Sequence, residues 1–156
     1  MNWTALLIAV HVVTILLWIG GVAFVTMIIF PIIATTGDSL EQVLLFQRVE
    51  HRFARHARIY IALSGITGFW LLHMLGMDRI LFTRQTIGVS IMLFAWFFYL
   101  LVLLFEKRIF KKLFGKPDRF DSAKVFKFLA AFHWVVLGIS LLAVFAGVWQ
   151  GHGGSL

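Results

Sequence analysis

The chain has no cysteine, which excludes disulfides, iron–sulfur clusters, covalently attached c-type haem and thiol chemistry. Charge is scarce too: 13% of the 156 residues are charged, and none lies between Met1 and Gly37. That uncharged run is far longer than the roughly 20 residues a bilayer-spanning helix needs. Because Met1-Asn2-Trp3 offers no basic start, a cleaved signal peptide is not expected. No Ser/His/Asp set, paired intramembrane carboxylate or phosphate-cradling loop can be picked out, which disfavours hydrolysis and proton-coupled transport through a carboxylate relay. Histidine is left as the main strong ligand, with methionine as a soft second.

What the chain has in abundance is apolar side chains. They make up 61% of it, and the mean hydropathy of +0.94 marks a membrane protein. Hydropathy predicts four spans, at about 3–34, 59–77, 86–105 and 128–150, and hence one all-α integral membrane domain over 1–156, a four-helix bundle. Gly37 ends the first span. Asp38-Ser39 followed by Glu41-Gln42 then reads as a capping-box start for a new helix. Leu40, Val43, Phe46, Val49 and Phe53 recur along it at helical spacing, so it is expected to be amphipathic and interfacial before turning into, or continuing as, the second span. The third span is expected to run on as an amphipathic helix from Glu106 to Phe114 until Gly115 and Pro117 break it, with Asp121 or Ser122 capping the fourth.

A net charge of +7 would suit a nucleic-acid binder, but its placement argues otherwise. All 14 Lys and Arg fall between Arg48 and Lys127, four in the first inter-span segment, two in the second and eight in the third. That distribution reads as attraction to anionic lipid and as topology, with segments one and three cytoplasmic and both termini outside.

Three histidines, His11, His73 and His133, fall inside predicted spans, where an ionisable group is costly unless partnered and so marks a candidate site. His11 and His73 sit at matching depth, roughly 6–9 Å from the outer face, and His133 at comparable depth from the inner one. His56 lies just outside the span on that inner side, about 25 Å along the helix from His73. Such a layout suits bis-histidine ligation of b-type haem, His11 with His73 at an outer haem and His133 with His56 at an inner one. The alternative for each is a histidine that hydrogen-bonds within the packing. His51 reads as interfacial, and His152 sits in a glycine-rich tail. Arg52 and Arg55 inside, with Arg79 and Arg84 outside, are candidates to hold haem propionates, while positive-inside anchoring accounts for the inner pair without a cofactor. A copper site is the second metal reading: "HMLGM" places His73, Met74 and Met77 on one turn, and soft ligands select Cu(I).

"LIAVHVVTILLWIGGVAF", with His11, then Trp18 seven residues later, then Gly20-Gly21, resembles the first helix of CopD-like membrane proteins. It is also similar to the first span of HemJ-type protoporphyrinogen oxidases, small four-helix membrane proteins that bind b-type haem through that histidine. "FQRVEHRFARHARIYIALSGITGFWLL" resembles the HemJ stretch in which acidic and basic residues precede the second span. The resemblance implies His11 as a haem ligand and Arg52 or Arg55 as a partner for a propionate or a substrate carboxylate. The chain departs from the HemJ pattern at Ile29-Phe30-Pro31, where an arginine and a histidine are usual, and at Ala95-Trp96-Phe97-Phe98, where a histidine is. The expectation is therefore a b-type cytochrome of the bacterial inner membrane, holding one or two haems and exchanging electrons with quinone, a porphyrinogen or a redox partner protein. A CopD-like copper protein, a structural subunit of a membrane complex and a homo-oligomer stay open beside it.

Overall fold

The computed structural model describes residues 2–114 and 121–154. They form four long helical rods, with no strand among the described residues. The first rod comprises α1 (Trp3–Phe24), a π-helical turn (Val25–Ile29) and α2 (Phe30–Ala34) without a break. Pro31 explains the turn, since its ring lacks the N–H that would bond Met27 and crowds that carbonyl, and widening the helix by one residue relieves both. The Thr35 and Thr36 hydroxyls then donate to the Ile32 carbonyl, and Gly37 reverses the chain at φ +53°.

The second rod is α3 (Ser39–Met74), 36 residues long. Asp38 caps it as expected, its carboxylate accepting from the amides of Leu40 and Glu41. The interfacial helix and the expected second span are therefore one continuous helix. After a 3-10 turn (Met77–Ile80) comes α4 (Ile87–Phe114), then α5 (Ser122–Gly151), capped by Asp121 through the Lys124 amide. The break expected at Gly115 and Pro117 lies outside the described residues.

Three helical stretches, Trp3–Ala34, Ile87–Phe105 and Ser122–Gly151, are long and apolar enough to cross a membrane. Their outward faces carry large bare side chains: Leu16 is 66% exposed, Phe94 75% and Leu142 68%. Water would not tolerate so continuous an apolar surface, whereas lipid would cover it. The α3 rod is not among the three, because its first half carries Arg48, Arg52 and Arg55 and its second half includes Arg58, Ser64, Gly65, Thr67 and Gly68.

In lipid there is little hydrophobic drive between helices, so close approach and buried hydrogen bonds must hold the rods together. Both are present. Helix α1 packs against α3, and α4 against α5, with α3 and α5 joining the two pairs. A side chain at Gly65 would strike the Trp96 ring at 2.4 Å, and one at Gly88 would strike the Ala146 carbonyl oxygen at the same distance. The Trp96 indole donates to the Ile61 carbonyl at 2.9 Å, joining α4 to α3. Gln150 clamps the start of α4, accepting from the Gly88 amide at 2.6 Å and donating to the Arg84 carbonyl at 2.7 Å. At the opposite end the Ser39 and Ser122 hydroxyls bond at 2.6 Å.

Candidate functional site

The interior holds two polar centres divided by an aromatic wall. The wall is Trp18 against Tyr99, edge to face at 4.3 Å. Both rings line a cavity on either side. The Ser140 hydroxyl donates to the Val136 carbonyl at 2.7 Å, so the buried Tyr99 hydroxyl donates to Ser140.

Toward the end that carries both termini lies a cavity of about 270 Å³, with His11 on its wall. The ring is fixed by a chain of hydrogen bonds. Thr67 spends its hydroxyl proton on the Leu63 carbonyl at 2.7 Å, so at 3.0 Å it accepts from His11 Nδ1–H. The other nitrogen, Nε2, therefore holds the lone pair of the neutral imidazole. Such an arrangement, one nitrogen anchored and the other basic, is the form in which histidine binds metals. Gly68 admits the ring, since a Cβ there would lie 2.9 Å from His11 Cε1. Two thioethers, Met77 and Met92, line the same cavity, with Trp96 and Phe69 completing its aromatic side. An imidazole with a free lone pair on the wall of an apolar cavity can serve as a ligand to a haem iron or to Cu(I), and methionine is the soft residue type that accompanies it in this lining.

The second centre lies toward the end that carries the α2–α3 turn. His133 Nδ1–H donates to the Leu129 carbonyl at 2.9 Å, and its Nε2 stands 3.6 Å from Glu50 Oε2. Phe30 and Phe46 pack on the imidazole at centroid distances of 5.0 and 5.3 Å. The Glu50 side chain is 21% exposed and that of His133 12%. Oε2 is buried with no hydrogen-bond partner among the described residues. A cavity of about 140 Å³ opens beside the pair, lined also by Trp18, Phe53, Tyr99 and Phe132.

The expected histidine pairs are not brought together. His73 is 82% exposed and bonds Asp78 at 3.2 Å, away from the cavity that His11 lines. This hydrogen bond holds the Asp78 carboxyl below its ordinary range. His56 is exposed on α3 and donates Nδ1–H back to the Arg52 carbonyl at 3.0 Å, so it does not face His133. Arg52 and Arg55 are likewise exposed, and neither lines either cavity. Of the copper set only Met77 reaches the His11 cavity; Met74 is 44% exposed beside His73. No group of three or more His, Cys, Asp or Glu able to hold a metal occurs among the described residues.

Thr67, Tyr99, Glu50 and Met92 are among the site residues that sequence reasoning did not single out. Glu50 was legible in principle: it lies four positions from Phe46 and four from Ala54, on the buried stripe of α3. Met92 joins His11 only through tertiary packing, for which the sequence carries no local signal. No family model, curated protein or solved structure matches this chain.

Proposed function

We propose that the chain is a four-helix membrane protein that binds a b-type haem in the His11 cavity and serves electron transfer. The single observation that carries this reading is the state of His11: Nδ1–H anchored on Thr67, Nε2 basic, on the wall of an apolar, aromatic-lined cavity. His11 would hold the haem iron, with Met77 and Met92 as the further candidates from the same cavity, in place of the His11–His73 pair expected from depth alone. When bound, the haem supplies one-electron chemistry. The chain's own part is to fix the imidazole, wall off water with Trp18, Trp96 and Phe69, and present soft sulfur. The cavity volume of about 270 Å³ lies below the roughly 300–1,000 Å³ of small-molecule pockets, and a porphyrin would need more room than this.

Topology follows from charge. The cationic segments around Arg48–Arg58 and Lys107–Lys127 face the cytoplasm, and both termini and the His11 cavity face outward across a bacterial inner membrane. The test is the protein purified in detergent. A reduced-minus-oxidised difference with Soret and α bands, and about one haem per chain by pyridine haemochrome, are expected; a colourless protein with no haemochrome refutes the reading.

A second reading has its own observation, the presence of Met77 and Met92 in the lining of the cavity that His11 walls. One imidazole and two thioethers would make a Cu(I) ligand set, consistent with a copper-handling role. Competition with a chromogenic Cu(I) chelator distinguishes the two: copper retained by the haem-free wild type and lost from a Met77→Leu/Met92→Leu variant supports copper, and no retention excludes it.

A further inference from the structure

We infer that the cavity beside Glu50 and His133 binds a hydroxylated single-ring aromatic, the head group of a membrane hydroquinone. The inference goes beyond the haem assignment and does not depend on it, because it uses the other cavity. Three observations lead there.

The first is the polarity of the pair. A carbonyl can only accept, so the 2.9 Å contact to Leu129 fixes the His133 proton on Nδ1. His133 Nε2 then stands 3.6 Å from Glu50 Oε2, beyond ordinary hydrogen-bond distance. Oε2 is buried and has no hydrogen-bond partner among the described residues, so it is left to accept from whatever enters the cavity. The remaining ionisable group on this cavity's wall is Tyr99, from α4, whose hydroxyl is already given to Ser140; α1 contributes Trp18 and Val22, which carry no charge. A ligand hydroxyl is the missing donor, and a ligand offering only carbonyl or ether oxygens is not.

The second is size. The space is about 140 Å³, close to the roughly 150 Å³ of an apolar engineered cavity that takes up benzene. One six-membered ring fits; a porphyrin or a fused-ring system does not.

The third is the lining. Apart from Glu50, His133 and the Tyr99 hydroxyl the wall is hydrocarbon and aromatic ring, with Trp18, Phe53 and Phe132 placed to pack on a flat ring. Three of the four helices that form it, α1, α4 and α5, present apolar outer faces, so a ligand dissolved in lipid is the one this cavity would meet.

The experiment titrates the purified full chain in detergent micelles at neutral pH with 1,4-hydroquinone and, separately, with 1,4-dimethoxybenzene, using isothermal calorimetry with protein-free micelles as the reference. The methyl ethers keep the ring and both oxygens and remove both donors. Hydroquinone is expected to bind about tenfold more tightly, the size of one hydrogen bond to a charged acceptor. In Glu50→Leu that preference should fall to about twofold or less. Glu50→Gln, which keeps the shape and replaces one acceptor oxygen with an N–H₂ donor, gives the same check should the leucine variant fail to fold. Equal affinity of wild type for the two probes, no binding of hydroquinone, or a preference retained in both variants overturns the inference. A haem-free preparation that shows the preference refutes the haem assignment alone.

Discussion

Glu50 Oε2 and His133 Nε2 face each other at 3.6 Å between α3 and α5, enclosed by Phe30 and Phe46 on the imidazole side. Removing one member of such a pair strands the other, whereas removing both leaves an apolar interface. His133→Phe, which keeps the aromatic packing, should cost about 2 kcal/mol in a micelle unfolding titration, less than a fully buried pair because Glu50 retains some exposure. Glu50→Leu should cost less than half of that, and the double variant should recover most of the loss. Additive losses would show that the two groups do not interact.

The anchor on His11 gives a second prediction. Thr67→Val keeps the shape of α3 and removes the acceptor for Nδ1–H, freeing the ring to rotate. Affinity for the cavity's metal or haem should fall by about 10- to 100-fold with helix content unchanged, measured by haem titration and far-ultraviolet circular dichroism. Unchanged affinity would mean that the Thr67 contact is packing alone.

Much of this fold was legible in the sequence, and the reasons are local. The Asp38 and Asp121 caps are read from side chains that bond amides two or three residues on. The 32-residue first rod follows from an uninterrupted apolar run. What failed to show was direction around the helix. Depth matched His11 to His73, but His73 lies six positions beyond Thr67, about 240° round α3 from the face that His11 touches. The same difficulty hid Glu50. Choosing the α3 face by its large side chains gave Val43, Phe46, Val49 and Phe53, whereas close helix packing buries the small Ala54 and Ala57 and sweeps Glu50 onto the same stripe.

The contacts between α4 and α5 separate two glycines. At Gly88 a new Cβ meets the Ala146 backbone oxygen at 2.4 Å, which can move only with its helix. At Gly147 it meets the sulfur of Met92, the pliable end of a long side chain, at 2.0 Å. Gly88→Ala should therefore cost about 2–3 kcal/mol and Gly147→Ala no more than about 1 kcal/mol in unfolding titrations. Gly147→Ala should nonetheless disturb ligand binding in the His11 cavity, because Met92 lines it. The reverse order of stabilities would contradict the packing described.

The start of α5 should respond to acid. The Lys124 side chain, then its amide, holds the Asp121 carboxyl below its ordinary value of 3.8. A depressed folded-state value means that this cap stabilises the helix above the unfolded value and is lost as pH falls below about 3.8 through the lower folded one. Exchange of the Lys124 amide, corrected for intrinsic pH dependence, should accelerate over that acid range in wild type. In Asp121→Asn, which caps without titrating, it should not.

The central claim is that His11 holds the cofactor. The most direct measurement compares haem content and the reduced-minus-oxidised spectrum of wild type, His11→Ala and His73→Ala, each purified in the same detergent. The account predicts loss of haem from His11→Ala and wild-type stoichiometry in His73→Ala, whose imidazole is exposed and bonded to Asp78. Full haem retention in His11→Ala, or loss in His73→Ala with His11 intact, would contradict it.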